Sequence, residues 1–189
     1  MNDTEEKFYP YARPCLDDGD IAAVEEAIRS PMLTTGPRVG RFEEAMQDRL
    51  GNGVSAAAVS SGTAALHLAA LAGKLGPGDE VIVPTMTFLA TANAVRYVGA
   101  RPLLIDIDPE TLALDVDRVA ELVTDRPSIR AIFAVHFAGL PAPLPRLQEI
   151  ARAHDLLLID DAAHAIGATY THDGVEHEVG DGAHSDGTC

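Results

Sequence analysis

From Val54 to Ile159 the chain alternates short apolar runs with segments of helical spacing, and this alternation restricts the fold more than any other feature. The runs Val54–Val59, Val81–Val83, Pro102–Ile107, Ala131–His136 and Leu156–Ile159 predict strands. Between them Ser61–Leu75, Phe88–Val98, Val116–Val123 and Pro145–His154 predict helices, the first stopped by Gly76-Pro77-Gly78 and the second capped by Gly99. Strands alternating with helices make βαβ units, so the expected class is α/β with a mostly parallel sheet covered by helices. The strand runs do not alternate polar with apolar residues, which fits burial on both faces. Ahead of this region, residues 1–50 read as a helical segment. In it Asp20–Ser30 carries Ile21, Val24 and Ile28 on one face, and Arg41–Leu50 is ended by Gly51. Residues 51–189 read as one domain. After Tyr170 the chain turns polar, with a hairpin-type turn at Thr171-His172-Asp173-Gly174 and no further element expected. The pattern therefore reads as an incomplete domain.

The net charge of −15 argues against non-specific binding to nucleic acid or to an anionic membrane surface. It leaves room for a small anion held by a few backbone N–H groups. No apolar run approaches the ~20 residues of a membrane span. The acidic stretch Met1–Glu6 does not read as a signal peptide. Cys15 and Cys189 are too few and too far apart for a disulfide framework, so a cytoplasmic location is expected.

Four segments could carry chemistry. In Ser60-Ser61-Gly62-Thr63-Ala64-Ala65-Leu66 a strand enters a small-residue turn that opens a helix. Free N–H groups, the positive dipole end and the Thr63 hydroxyl make a phosphate cradle, and Gly62 allows close approach. A plain Ser N-cap explains the same residues equally well. In Pro84-Thr85-Met86-Thr87-Phe88-Leu89-Ala90-Thr91 the aromatic Phe88 follows a strand and could cover a flat ring, although a core Phe at a helix start is the simpler reading. In Leu158-Ile159-Asp160-Asp161-Ala162-Ala163-His164 a buried strand delivers two carboxylates to the sheet edge where open α/β folds bind ligands. A carboxylate there could pair with a protonated ring nitrogen. The alternative is an Asp N-cap with His164 as a polar neighbour. Asp161 and His164 could also serve a metal by residue type, but no HxH or HExxH spacing supports it and no metal is expected. The fourth, Val135-His136-Phe137-Ala138-Gly139-Leu140-Pro141, reads alone as a βα loop. His172, His177 and His184 lie in the polar tail and read as solvated.

Taken in order, these segments resemble the DegT/StrS-type family of sugar-nucleotide aminotransferases. The resemblance runs through Tyr11-Ala12-Arg13-Pro14, Leu33-Thr34-Thr35-Gly36-Pro37, Arg41-Phe42-Glu43-Glu44, Ser61-Gly62-Thr63-Ala64-Ala65-Leu66, Pro84-Thr85-Met86-Thr87-Phe88, Asp106-Ile107-Asp108 and Asp160-Asp161-Ala162-Ala163-His164-Ala165-Ile166-Gly167-Ala168. It implies an aspartate-aminotransferase-like large domain of fold type I, truncated here, with the C-terminal small domain absent. It implies pyridoxal phosphate as cofactor, with Gly62 and Thr63 at its phosphate, Phe88 on its ring, Asp161 at its ring nitrogen and His164 beside its phenolic oxygen. Thr34 would face the substrate. Asp160 stands where the family more often has Glu, and is expected to matter little. His136-Phe137-Ala138-Gly139-Leu140-Pro141 resembles the form found in enzymes that aminate C4 of UDP-linked keto sugars. A nucleotide-sugar substrate, glutamate as donor and a homodimer are implied. The family's Schiff-base lysine would follow Cys189, since Lys7 and Lys74 sit in no matching context. The 189 residues alone are thus expected to be inactive. A related sugar dehydratase, with histidine replacing that lysine, and a non-catalytic remnant are the alternatives.

Overall fold

The computed structural model describes residue 10, residues 13–51 and residues 53–189. The chain divides into two compact units, 1–41 and 42–189. In the first, α1 (Asp18–Arg29) starts in a capping box: the Asp17 carboxylate accepts from Gly19 N and Asp20 N, and the Asp20 side chain accepts from Asp17 N. Its expected apolar stripe is exposed, with Ile21, Val24 and Ile28 each 59–65% accessible. Helix α2 (Pro37–Leu50) runs across the boundary between the units.

The second unit is built on a five-stranded sheet of order β2-β1-β3-β4-β7, with every neighbouring pair parallel. The strands are β1 (Glu80–Pro84), β2 (Arg101–Ile105), β3 (Ile129–Val135), β4 (Leu157–Asp161) and β7 (Gly187–Thr188). The helices are α3 (Gly62–Ala72), α4 (Leu89–Tyr97), α5 (Val116–Asp125) and α6 (Leu144–Ala153). From β1 the chain steps one way to β2, then returns past β1 to β3 and continues to β4. Right-handed crossovers in opposite directions must put their helices on opposite faces. Two separate apolar clusters show this. On one face Val119, Val123, Leu144 and Leu147 of α5 and α6 pack on Ile82, Ile132, Ala134 and Leu158. On the other Leu66, Ala70, Ala94 and Val95 of α3 and α4 pack on Val81, Val83, Phe133 and Ile159. Each strand feeds both faces alternately, which is why its residues read as an unbroken apolar run.

Three expectations need correction. Residues 54–59 form no strand. Much of that run is alanine, which pleated structure disfavours, and Ala58 N donates to Glu43 Oε1 at 2.8 Å instead of to a neighbouring strand. The tail after Tyr170 does carry further structure. Strands β5 (Thr169–His172) and β6 (Val175–Glu178) form an antiparallel hairpin around Asp173-Gly174, and Gly187–Thr188 joins β4 as β7. The tail histidines are not simply solvated. The His184 ring lies 4.7 Å from that of His177 and 5.0 Å from that of His172. Its Nδ1 is 2.8 Å from the Tyr170 hydroxyl, while His177 Nδ1 is 3.0 Å from Asp181 Oδ2.

Among the described residues no helix is long and apolar enough to cross a membrane. Cys15 and Cys189 are free thiols.

Candidate active site

All strands of the sheet run in one direction, so their C-terminal ends share one edge. The direction of the connections reverses between β1 and β3, and open parallel sheets bind ligands at the C-terminal edge of such a switch point. The loops leaving β1, β3 and β4 bring their residues to it.

Strand β4 ends in two carboxylates. Successive side chains on a strand face opposite ways. Asp161 therefore shares the face of Ile159, with α3 and α4, and Asp160 shares the face of Leu158, with α5 and α6. The hydrogen bonds agree. Asp161, 7% exposed, accepts from the Thr91 hydroxyl of α4 at 2.7 Å through Oδ2 and from Ala163 N at 3.2 Å through Oδ1. The Thr91 hydroxyl is in turn 2.8 Å from that of Thr87.

Asp160 is fully buried and faces His136, whose Nε2 is 2.9 Å from Asp160 Oδ2. His136 Nδ1 accepts from Ala142 N at 2.8 Å. That bond occupies the Nδ1 lone pair, so the ring hydrogen is assigned to Nε2 and donated to Asp160. Thr188 of β7 donates to the same carboxylate, at 3.0 and 3.1 Å from its two oxygens. Asp160 thus ties three strand ends together, contrary to the expectation that it matters little. His136, expected as part of a plain loop, is its buried partner.

The other expected residues lie as follows. Ser61 caps α3, its hydroxyl accepting from Ala64 N at 3.2 Å. Gly62 N and Thr63 N have no acceptor among the described residues and remain free at the helix start. A Cβ on Gly62 would sit 4.0 Å from that of Ala163, so the start of α3 lies beside the turn that follows Asp161. Phe88, at the N-cap of α4, is 75% exposed; the core alternative fails, and Phe133 fills the core instead. His164 is exposed on the turn after β4. The 3₁₀ turn Phe137–Gly139 leans on it: Gly139 has φ +86°, and a Cβ there would meet His164 O at 3.1 Å. Thr34 is exposed in the first unit. Lys74 follows α3 just before β1 begins, at the opposite edge of the sheet from Asp161. Lys7, with Tyr11 and Ala12 of the opening segment, lies outside the described residues.

Thr91 escaped the sequence reading, yet its signal was present. Helix α4 turns Ala90, Thr91, Ala94 and Val95 inward, and a hydroxyl among apolar inward positions needs a buried partner.

The doubly covered, mostly parallel sheet is the large-domain architecture of fold-type-I pyridoxal-phosphate enzymes. Residues 14–188 match the model of the DegT/DnrJ/EryC1/StrS aminotransferase family, and the chain belongs to that family. It is similar to the aminotransferase from Psychrobacter cryohalolentis, at 32% identity and TM-score 0.77 over 85% of this chain and 41% of that one. It is also similar to DesV of S. venezuelae, solved with a ketimine intermediate, at 34% identity and TM-score 0.75 over 85% and 42% of the two chains. A third is Spr1654 of Streptococcus pneumoniae, assigned as a sugar aminotransferase and solved in its PMP form. It shares 28% identity at TM-score 0.82 over 96% and 47% of the two chains. This chain spans less than half the length of each. The family's cofactor is pyridoxal phosphate, and Spr1654 is known in both PLP and PMP forms.

Proposed function

We propose that this chain is the cofactor-binding portion of an enzyme that aminates a nucleotide-linked keto sugar, with a UDP-4-keto sugar as acceptor and glutamate as amino donor. The observation that carries the reading is the Asp161 carboxylate, buried at the end of β4 with both oxygens held, on the face shared by the free N–H groups of α3. Bound pyridoxal phosphate supplies an electron sink for transamination when its ring nitrogen stays protonated. The residues fit that group by their chemistry. Gly62 N and Thr63 N, with the Thr63 hydroxyl, offer donors to a phosphate at the positive end of α3. Phe88 offers an aromatic face to the ring. Asp161 offers an anion to the ring N–H, where scarce water and fixed geometry strengthen the pair. His164 lies on the turn that would flank the phenolic oxygen, and Thr34 is assigned to the substrate side.

Lys74, at the far edge of the sheet, takes no Schiff-base role. We assign the working protein to the cytoplasm as a homodimer.

The test is glutamate-dependent amination of a UDP-4-keto hexose by the protein encoded by the full reading frame, followed by mass spectrometry. The expected product carries nitrogen from labelled glutamate. A loaded protein that releases a dehydrated sugar without nitrogen would move the assignment to a dehydratase. One that changes no keto sugar would refute the substrate class.

A further inference from the structure

We propose that Thr91 is a positioning residue that sets Asp161 for the cofactor's ring nitrogen, with Thr87 as the next link. The inference rests on the cofactor site described above and adds a hydrogen-bond relay to it.

An ionised carboxylate only accepts hydrogen bonds, so the 2.7 Å contact fixes the Thr91 hydrogen on Asp161 Oδ2. With its single hydrogen spent, Thr91 Oγ1 can only accept from Thr87, 2.8 Å away. Thr87 Oγ1 also lies 3.2 Å from Phe88 O, but Thr91 is its nearer acceptor. The relay therefore has one direction: Thr87 to Thr91 to Asp161. Thr91 is fully buried, so water does not replace its hydroxyl. Ala163 N holds the other carboxylate oxygen at 3.2 Å. Two donors, one on each oxygen, fix the plane of the carboxyl group. The same stretch of chain carries Phe88, three residues before Thr91. The start of α4 would thus set the aromatic on the ring and the carboxylate at its nitrogen as one rigid piece.

The test uses pyridoxamine phosphate, which binds without a lysine bond, and its 1-deaza analogue, in which carbon replaces the ring nitrogen. Both are titrated calorimetrically into the wild type and into Thr91→Val, Thr91→Ser and Thr87→Val. Thr91→Val should weaken pyridoxamine phosphate about tenfold or more, the effect of losing one hydrogen bond to a charged group. The deaza analogue, blind to Asp161, should change by less than about threefold, and Thr91→Ser should restore nitrogen-dependent binding. Thr87→Val should act in the same direction with a smaller loss, and keeps the test open if the Thr91→Val variant does not fold. Equal weakening of both ligands would make Thr91 structural and overturn the proposal, as would no weakening of either. If the wild type itself does not prefer pyridoxamine phosphate over the deaza analogue, Asp161 is not the ring-nitrogen anchor and the cofactor reading fails first.

Discussion

Replacing Asp160 tests the buried network behind the site, and the structure separates the effects of two substitutions there. Asp160→Ala removes the acceptor for His136 Nε2–H and for the Thr188 hydroxyl. Each hydrogen bond to a charged group is worth about 1.5–3 kcal/mol. Relief of the carboxylate's own desolvation offsets part of their sum. The net expectation is about 3–5 kcal/mol, the usual cost of breaking a buried pair from one side. Asp160→Asn behaves differently because the His136 tautomer is pinned by Ala142 N. The Asn oxygen can take the His136 hydrogen, and its NH2 can donate to Thr188, whose hydroxyl is free to turn. That variant should lose about 1 kcal/mol. Urea melts followed by circular dichroism measure both, and thermal midpoints should drop by about 2–4 °C per kcal/mol for a chain of this size. If Asn costs as much as Ala, the ring hydrogen is not where the hydrogen bonds put it. If Ala costs under about 1 kcal/mol, Asp160 does not tie the strand ends together.

Phe133 is fully buried at the centre of the α3–α4 face, so Phe133→Ala should cost about 3–5 kcal/mol in the same melts, whereas Phe88→Ala, at an exposed site, should cost little. Burial, then His177 and His172, push the His184 imidazole below its ordinary value, against an upward pull from Asp181. The neutral ring is thus favoured by folding, so its contribution is complete above the unfolded value near 6.5 and declines as pH falls below it. Protection of the β5–β6 hairpin amides, measured relative to the intrinsic exchange rate at each pH, should fall over that window, and His184→Asn should flatten the dependence. Burial and the nearby Asp160 and Asp161 carboxylates push the Cys189 thiol up to about 12. Iodoacetamide at pH 8 should label exposed Cys15 first and Cys189 only on unfolding, as peptide mapping would report.

How much of this was legible in the sequence depended on whether the cause was local. The βαβ order, the hairpin turn at Asp173-Gly174 and the Ser61 cap rest on residues within a few positions of each other, and they read directly. The carboxylate pair was visible as a pair, but its division of labour was not. That division follows from strand parity together with partners 70 and 24 residues away, Thr91 for Asp161 and His136 for Asp160. Strand β7 has two residues, too few for any period, and exists because β4 offers it backbone partners: Cys189 N donates to Asp160 O at 2.8 Å. The tail histidines gather only because the hairpin and the following loop fold toward one another.

Adjacent carboxylates on one strand make β4 behave like a printed line read in a fixed frame. Its frame is held from both margins, by β3 at Ala134–Asp160 and Val135–Asp161 and by β7 at Ile159–Gly187 and Asp160–Thr188. A shift of one position would send every side chain to the opposite face. A slip slides Leu158 and Ile159 together, and in the forward direction it sets the Ile159 side chain against His136 in place of a carboxylate. In the backward direction it drives Asp160 into the apolar place of Ile159 and leaves the site under Thr91 without a carboxylate. Either slip therefore strands a buried partner at the ligand edge, so the acidic pair fixes the reading frame of β4 more sharply than its interchangeable apolar residues do.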